Sequence, residues 1–256
     1  VVDRMEKTGA IMLGKVNCDA WAQGSSGENS DFGVTHNPWK KGYVPGGTSS
    51  GSAASVAANL SLIATGTDTG GSIRQPANFC GVVGIKPTYG SITRYGVIAA
   101  VSSFDTIGCL TRTVDDCEEV YDVIKGSDHL DSNVKNTNFL KPKDKLVMGI
   151  PKEYFISGLD GEIEKSVQGS INVFKNLGIK IKEITMKTTQ YAVPAYYIIN
   201  FAEYSSNLGR YDGIRYGEER FCFGEEAKRR IMIGSYVLSA GYYEAFYLKA
   251  QKVRAK

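Results

Sequence analysis

The run Gly66-Thr67-Asp68-Thr69-Gly70-Gly71-Ser72-Ile73-Arg74-Gln75-Pro76 places a serine at the end of a turn that two adjacent glycines make possible. Glycine reaches backbone conformations that other residues resist. Gly70 and Gly71 therefore allow the amides of Thr69, Gly70, Gly71 and Ser72 to aim at one point. An amide array of that kind, opening a helix, suits an oxyanion that develops during acyl transfer. The Ser72 hydroxyl stands where it can attack a carbonyl held over those amides, and Asp68 can brace the loop by accepting backbone hydrogen bonds. A second small-residue cluster, Pro45-Gly46-Gly47-Thr48-Ser49-Ser50-Gly51-Ser52, precedes it. Taken singly, each cluster reads equally well as a tight turn. A nucleotide loop is disfavoured, because neither Gly-x-x-x-x-Gly-Lys-Ser/Thr nor a strand-borne Gly-x-Gly-x-x-Gly occurs. A linker is disfavoured by the apolar segments on either side.

The elements that must position these clusters follow from periodicity. Residues 1–7 read as the end of a helix stopped by Thr8-Gly9, and 10–13 as a short buried strand. From Asn17 to Gly47 the chain is rich in Gly, Ser, Asn and Pro, with Trp21, Phe32 and Trp39 interspersed. That pattern predicts a long irregular segment packed by its aromatics near a site. A helix is expected over 52–60, a strand over 60–65, a turn over 66–72, a short helix over 73–79 and a strand over 82–85. Thr113 with Asp116 forms a capping-box pattern for a helix reaching Lys125. Strands at 145–150 and 179–184 flank an amphipathic helix at 162–177, and everything from Thr189 onward reads helical. Strands alternating with helices predict an α/β class with a largely buried sheet.

Composition narrows the class. The 256 residues, 42% hydrophobic and 22% charged, are ordinary for a globular protein that buries a core without staples. Thirty basic against 27 acidic residues leave a net charge of +3, too small to argue for nucleic-acid binding by this chain alone. The five cysteines, Cys18, Cys80, Cys109, Cys117 and Cys222, form no C-x-x-C pair. They indicate reduced thiols in a cytosol-like compartment, a cytoplasm or an organellar matrix, and neither a disulfide framework nor a metal site. No apolar run approaches the ~20 residues that span a bilayer. His36 and His129, the two histidines, lie far from the serine clusters and read as surface residues. The acidic run Asp115-Asp116-Cys117-Glu118-Glu119 reads as the solvated first turn of a helix. The N-terminus reads as a helix met midway, so residues are expected upstream.

Together the two clusters resemble the amidase signature family, with its Gly-Gly-Ser-Ser-Gly-Gly-Ser and Asp-x-Gly-Gly-Ser-Ile-Arg-x-Pro blocks. They stand here as Gly46 to Ser52 and Asp68 to Pro76. The resemblance implies an amidase-signature fold, a central mixed β-sheet covered by helices on both faces. It implies one domain over 1–256, incomplete at both ends. It makes Ser72 the nucleophile, with an oxyanion hole from Thr69, Gly70, Gly71 and Ser72. The proton-relaying serine of the first block, held beside a cis peptide in the family, falls on Thr48, twenty-four positions before Ser72. Thr48 keeps a hydroxyl, with an added methyl. The family's general base is a lysine upstream of the first block, at a position before Val1. Lys15 belongs to another motif, Gly14-Lys15-Val16-Asn17, and does not take that role.

Further segments narrow the resemblance to the amidase subunits of tRNA-dependent amidotransferases. They include Ser25 to Ser30, Asn37-Pro38-Trp39, Lys86 to Gly90, Ser102 to Gly108, Ser205 to Gly217, Ala227 to Ile231, Ser239 to Tyr243 and Ala250 to Arg254. That narrower resemblance implies a glutaminase making ammonia for the conversion of Glu-tRNA(Gln) to Gln-tRNA(Gln). It implies B and C partner subunits, charged tRNA held mainly by B, and ATP with Mg²⁺ used at B, with no cofactor or metal on this chain. Arg254, Ser49 and Asp68 are implied to bind substrate, Arg254 through the glutamine carboxylate by a bidentate pair. Between Gly217 and Phe223 the family carries a longer segment than the Glu218 to Cys222 found here. The competing readings are a free-standing amide hydrolase and a non-catalytic assembly subunit.

Overall fold

The structure is a computed structural model that describes residues 1–134, 146–215 and 217–256. These fall into two compact units. The first holds the described residues up to 134 together with those of 200–243. The second holds the remainder. Lys145, the first residue of one expected strand, and Tyr216 lie outside the described residues.

In the first unit, α1 (Val2–Lys7) precedes a long irregular segment, then α2 (Ser50–Ala57), β1 (Ile63–Asp68), α3 (Arg74–Cys80), β2 (Val83–Ile85), β3 (Thr106–Thr111) and α4 (Val114–Ile124). The sheet has the order β1-β3-β2, and both pairings are antiparallel. Side chains along β3 alternate between two cores, as the two-residue period of a strand requires. Leu110 joins Ala53, Val56, Ile73, Ala77 and Cys80 from the α2 and α3 side. Ile107 and Cys109 join Cys117, Val120 and Ile124 of α4, with Ile92. Helices thus cover both faces of this sheet. Each fully buried aliphatic side chain contributes roughly 1.5–3 kcal/mol. Thr113 caps α4 by accepting from the Asp116 amide at 3.1 Å.

The centre of the sheet leaves no room at one position. A Cβ on Gly108 would lie 2.0 Å from the Ile85 carbonyl oxygen of the neighbouring strand. Backbone cannot yield as a side chain does, so Gly108→Ala is expected to cost about 3 kcal/mol or more. A thermal melt showing an unchanged midpoint would contradict this packing.

A third core cluster gathers Ala100, Val101, Tyr204, Leu208, Phe223 and Ala227. Trp21 packs beside it, its ring 5.3 Å from Tyr211 and 5.0 Å from Phe223. Its scaffold is α7 (Glu225–Val237) and the part of α6 (Ala192–Leu208) from Asn200 onward. In the second unit, β4 (Val147–Pro151) pairs in parallel with β5 (Lys180–Ile184) across the connecting helix α5 (Gly161–Asn176). Asp160 caps α5, accepting from the Glu162 and Ile163 amides. The start of α6 and the last helix, α8 (Lys249–Ala255), complete this unit.

Four expectations are corrected. Residues 10–13 form no strand, and Ile11 and Leu13 are 85% and 74% exposed, because no neighbouring strand supplies a ladder. The strand expected over 60–65 runs three residues later. It takes Gly66, Thr67 and Asp68 out of the expected turn and places them opposite Gly108, Ile107 and Thr106. Phe32 is 93% and Trp39 73% exposed, so of the three aromatics Trp21 packs by its ring, while Trp39 is held by its Nε1 donating to Cys80 O at 2.7 Å. The β4–β5 sheet is largely exposed, unlike the buried sheet of the first unit.

Candidate active site

The turn that follows β1 is fixed by one carboxylate. Asp68 is fully buried, and its two oxygens accept three backbone amides and two guanidinium nitrogens. Oδ1 takes Gly71 N at 2.8 Å and Arg74 Nη2 at 3.0 Å. Oδ2 takes Ile73 N at 3.1 Å, Arg74 N at 3.2 Å and Arg74 Nε at 3.0 Å. Burial alone would push this carboxyl up, but the Arg74 guanidinium and the amides outweigh it and hold it below the ordinary value of 3.8. Gly71 sits at φ +134, and a Cβ there would meet nothing within 4 Å. Its glycine is therefore demanded by backbone conformation and not by crowding.

The two serine-bearing blocks lie side by side. Ser49 N donates to Ser72 O at 3.0 Å, and Gln75 Oε1 accepts Gly47 N at 3.0 Å. The Gly47–Thr48 peptide is cis, where the resemblance put one. Thr48 is buried and Ser72 half-buried. Among the described residues, neither the Ser72 nor the Thr48 hydroxyl makes a hydrogen bond, and the amides of Thr69, Gly70 and Ser72 are equally uncommitted. The turn thus offers a hydroxyl beside three available N–H donors.

The hydrogen bonds of the turn bear on three of the expected roles. The Gly71 amide is spent on Asp68, so it leaves the expected set of four oxyanion donors. Asp68 is enclosed and satisfied within the turn, so it braces the loop and does not face a substrate. Ser49 is 6% exposed, and its hydroxyl bridges the backbone of β1, donating to Thr67 O at 3.2 Å and accepting Thr67 N at 3.3 Å. It too is a brace. Arg254 belongs to the second unit, in the last turn of α8, and is exposed. His36 and His129 are exposed, as the sequence indicates.

Sequence reasoning passed over two side chains that shape the site, Asp19 and Asp105. Asp19 is fully buried beneath the first block, accepting from the Gly27 amide at 3.1 Å and the Asn29 amide at 3.0 Å. Its own amide donates to Thr48 O at 3.1 Å. A Cβ on Gly47 would come within 2.1 Å of its carboxylate, so only glycine fits there. Asp105 accepts the Thr69 hydroxyl at 2.7 Å. No spacing rule joins these residues to the turn. Only the long-range contact reveals them. A cavity of about 250 Å³ is lined by Arg94, Tyr95, Ser102, Asp105 and Asp131 among others, and neither Thr69 nor Ser72 lines it.

Comparison with known proteins decides the family. The profile described as Amidase matches residues 1–256, the whole chain. The chain belongs to the amidase family. Within that family it is 48% identical, over its full length, to the amidase-family subunit of the glutamyl-tRNA(Gln) amidotransferase of Methylacidiphilum infernorum, of which it spans 56%. It is 50% identical to the corresponding subunit from Carboxydothermus hydrogenoformans, covering 99% of this chain and 57% of that one. The chain therefore spans a little over half the length of these relatives. The 48% alignment runs over 279 positions against 256 residues here, so that relative carries residues this chain does not. The crystal structure of the same subunit of the glutamyl-tRNA(Gln) amidotransferase from Thermotoga maritima matches with a TM-score of 0.83 and 42% identity, covering 99% of this chain and 55% of that one. The native peptide amidase from Stenotrophomonas maltophilia matches with a TM-score of 0.78 and 27% identity, covering 98% and 57%. The amidase-family fold is thus shared across members that differ in name.

Proposed function

We propose that this amidase-family chain is the glutamine-hydrolysing part of a tRNA-dependent amidotransferase, with Ser72 as its acyl-forming nucleophile. One observation carries the reading. The unbound Ser72 hydroxyl stands at the end of a turn that presents the Thr69, Gly70 and Ser72 amides uncommitted, beside the block that carries Thr48, whose neighbour Ser49 donates its amide to Ser72 O at 3.0 Å. In the proposed reaction, Ser72 Oγ attacks the side-chain carbonyl carbon of glutamine. Its proton passes by way of Thr48 to the lysine that the family uses as base. The negative oxygen of the tetrahedral intermediate rests on the amides. The C–N bond then breaks, ammonia leaves with the proton, and a glutamyl ester remains on Ser72. Water hydrolyses that ester, releasing glutamate and restoring the hydroxyl.

The names of the relatives support glutamyl-tRNA(Gln) as the acceptor system. In this proposal ammonia passes to a B subunit, which a C subunit joins to this chain. ATP and Mg²⁺ belong to the B subunit in this proposal. Among the described residues, no group of three or more His, Cys, Asp or Glu side chains is placed to hold a metal ion. No helix among them is long and apolar enough to cross a membrane. Arg254 as the partner of the glutamine carboxylate is part of the same proposal.

The test uses the full-length protein co-expressed with B and C subunits, following glutamate release from glutamine and amidation of Glu-tRNA in parallel. Coupled formation of both products is expected. Cleavage of simple aryl amides by the full-length protein without its partners, with no use of glutamine, would replace this reading with a free-standing amide hydrolase.

A further inference from the structure

Asp105 lies thirty-six residues beyond Thr69 in sequence, yet it grips the first residue of the Ser72 turn. Its carboxylate is 7% exposed. Oδ1 accepts the Thr69 hydroxyl at 2.7 Å, and Oδ2 accepts the amides of Ala100 at 3.0 Å and Val101 at 2.9 Å. The loop that bears it is itself anchored. Asn207 Nδ2 donates to Ala100 O at 3.1 Å and to Ser102 Oγ at 3.0 Å. Glu203 accepts the Ser103 amide at 2.9 Å, and the Tyr89 hydroxyl donates to Ser102 O at 2.8 Å. The Arg94 guanidinium, paired with Asp131 at 2.8 Å, donates to the same carbonyl. Asp105 is thus a fixed point, held from α6 on one side and from Arg94 and Tyr89 on the other.

Thr69 begins the turn and supplies one of the three uncommitted amides beside Ser72. A hydrogen bond that fixes a side chain restricts the backbone that carries it, amide direction included. Asp68 already secures the far end of the turn through Gly71, Ile73 and Arg74. Gly70, between these anchors, is the part of the turn with the greatest conformational freedom. We infer that Asp105 is a positioning residue which, through the Thr69 hydroxyl, clamps the near end of this turn in the conformation that receives the oxyanion. The inference rests on the acyl-transfer reading of Ser72. Because an oxyanion exists only in the transition state and intermediate, releasing the clamp lowers kcat and leaves substrate binding almost unchanged.

The experiment measures steady-state glutamine hydrolysis by the full-length protein with its partner subunits. The variants are Thr69→Val, Thr69→Ser, Asp105→Asn, the double variant Asp105→Asn/Thr69→Val, and Ser72→Ala. Thr69→Val keeps the shape and removes the hydroxyl. It is expected to lower kcat about tenfold to a hundredfold, less than deletion of a whole oxyanion donor, with KM within about twofold. Thr69→Ser restores most of the rate. Asp105→Asn lowers kcat comparably, and the double variant is no slower than the slower single, because both act through one bond. Wild-type kcat in Thr69→Val, additive losses in the double variant, or a Thr69→Ser as slow as Thr69→Val would each overturn the inference while inactive Ser72→Ala left the acyl-transfer reading standing. Full activity of Ser72→Ala would overturn that reading and the inference with it.

Discussion

Ser72→Ala is expected to lower glutamine hydrolysis by about four to six orders of magnitude, the scale of losing a serine nucleophile together with the group that activates it. The fold should not notice the change. The Ser72 hydroxyl bonds nothing among the described residues, and the one contact that ties this residue to the first block, Ser49 N to Ser72 O at 3.0 Å, uses the backbone. A half-buried serine so placed can lose its hydroxyl within about 0.5 kcal/mol. Amidation of Glu-tRNA driven by added ammonium should therefore survive in the complex, because only the source of ammonia has been removed. Thr48 sets a finer comparison. Thr48→Ala is expected to slow hydrolysis by about two to four orders of magnitude, as for loss of a proton-transfer group. Thr48→Ser should keep the activity, since it keeps the hydroxyl and drops only the methyl.

Asp68→Asn should damage both stability and rate. Its two oxygens accept five hydrogen bonds, so whichever way the new amide turns, its NH₂ faces donors. Breaking a buried pair of this kind costs about 3–5 kcal/mol. The low end, about 3 kcal/mol, applies here, because the Arg74 side chain is 54% exposed and water takes up its charge. The Gly71 and Ile73 amides lose their acceptor, the turn loosens, and kcat should fall by about a hundredfold or more. The pH dependence has a defined sign. A carboxyl held below 3.8 stabilises the fold fully above that value, and its contribution disappears as the pH falls through the depressed folded value. Asp19 and Asp105 act oppositely. Burial pushes both carboxyls up, so the folded state takes up their protons more readily than the unfolded one and gains stability on acidification. Asp68→Asn should accordingly lower the thermal midpoint most at neutral pH, with the gap to wild type closing as acid protonates Asp68. A constant gap across the titration would show that the charge on Asp68 contributes nothing.

Residue type and spacing carried the Asp68 to Pro76 block, because a Gly-Gly-Ser turn between a strand and a helix is a local pattern. The same holds for α4 and α5, whose caps and amphipathic faces lie within one stretch of chain. The central strand β3 escaped for a physical reason. Thr106 to Thr111 is buried at every position, so it shows no alternation of polar and apolar residues. Ile11 to Leu13 failed in reverse, because an apolar run reads as a strand only if a partner supplies its ladder. The clamps on the site were hidden because they are long-range. Asp19 supports a block centred near Thr48, and Asp105 reaches back to Thr69, through contacts that no periodicity encodes. The commitment of Gly71 N to Asp68 is a matter of direction within the turn, and residue types do not specify direction.

The most direct test of the central claim is to quench the full-length complex in acid during glutamine turnover and map covalent adducts by peptide mass spectrometry. The account predicts a single glutamyl ester on Ser72, absent from Ser72→Ala. An ester on any other residue, or undiminished glutamine hydrolysis by Ser72→Ala, would contradict it.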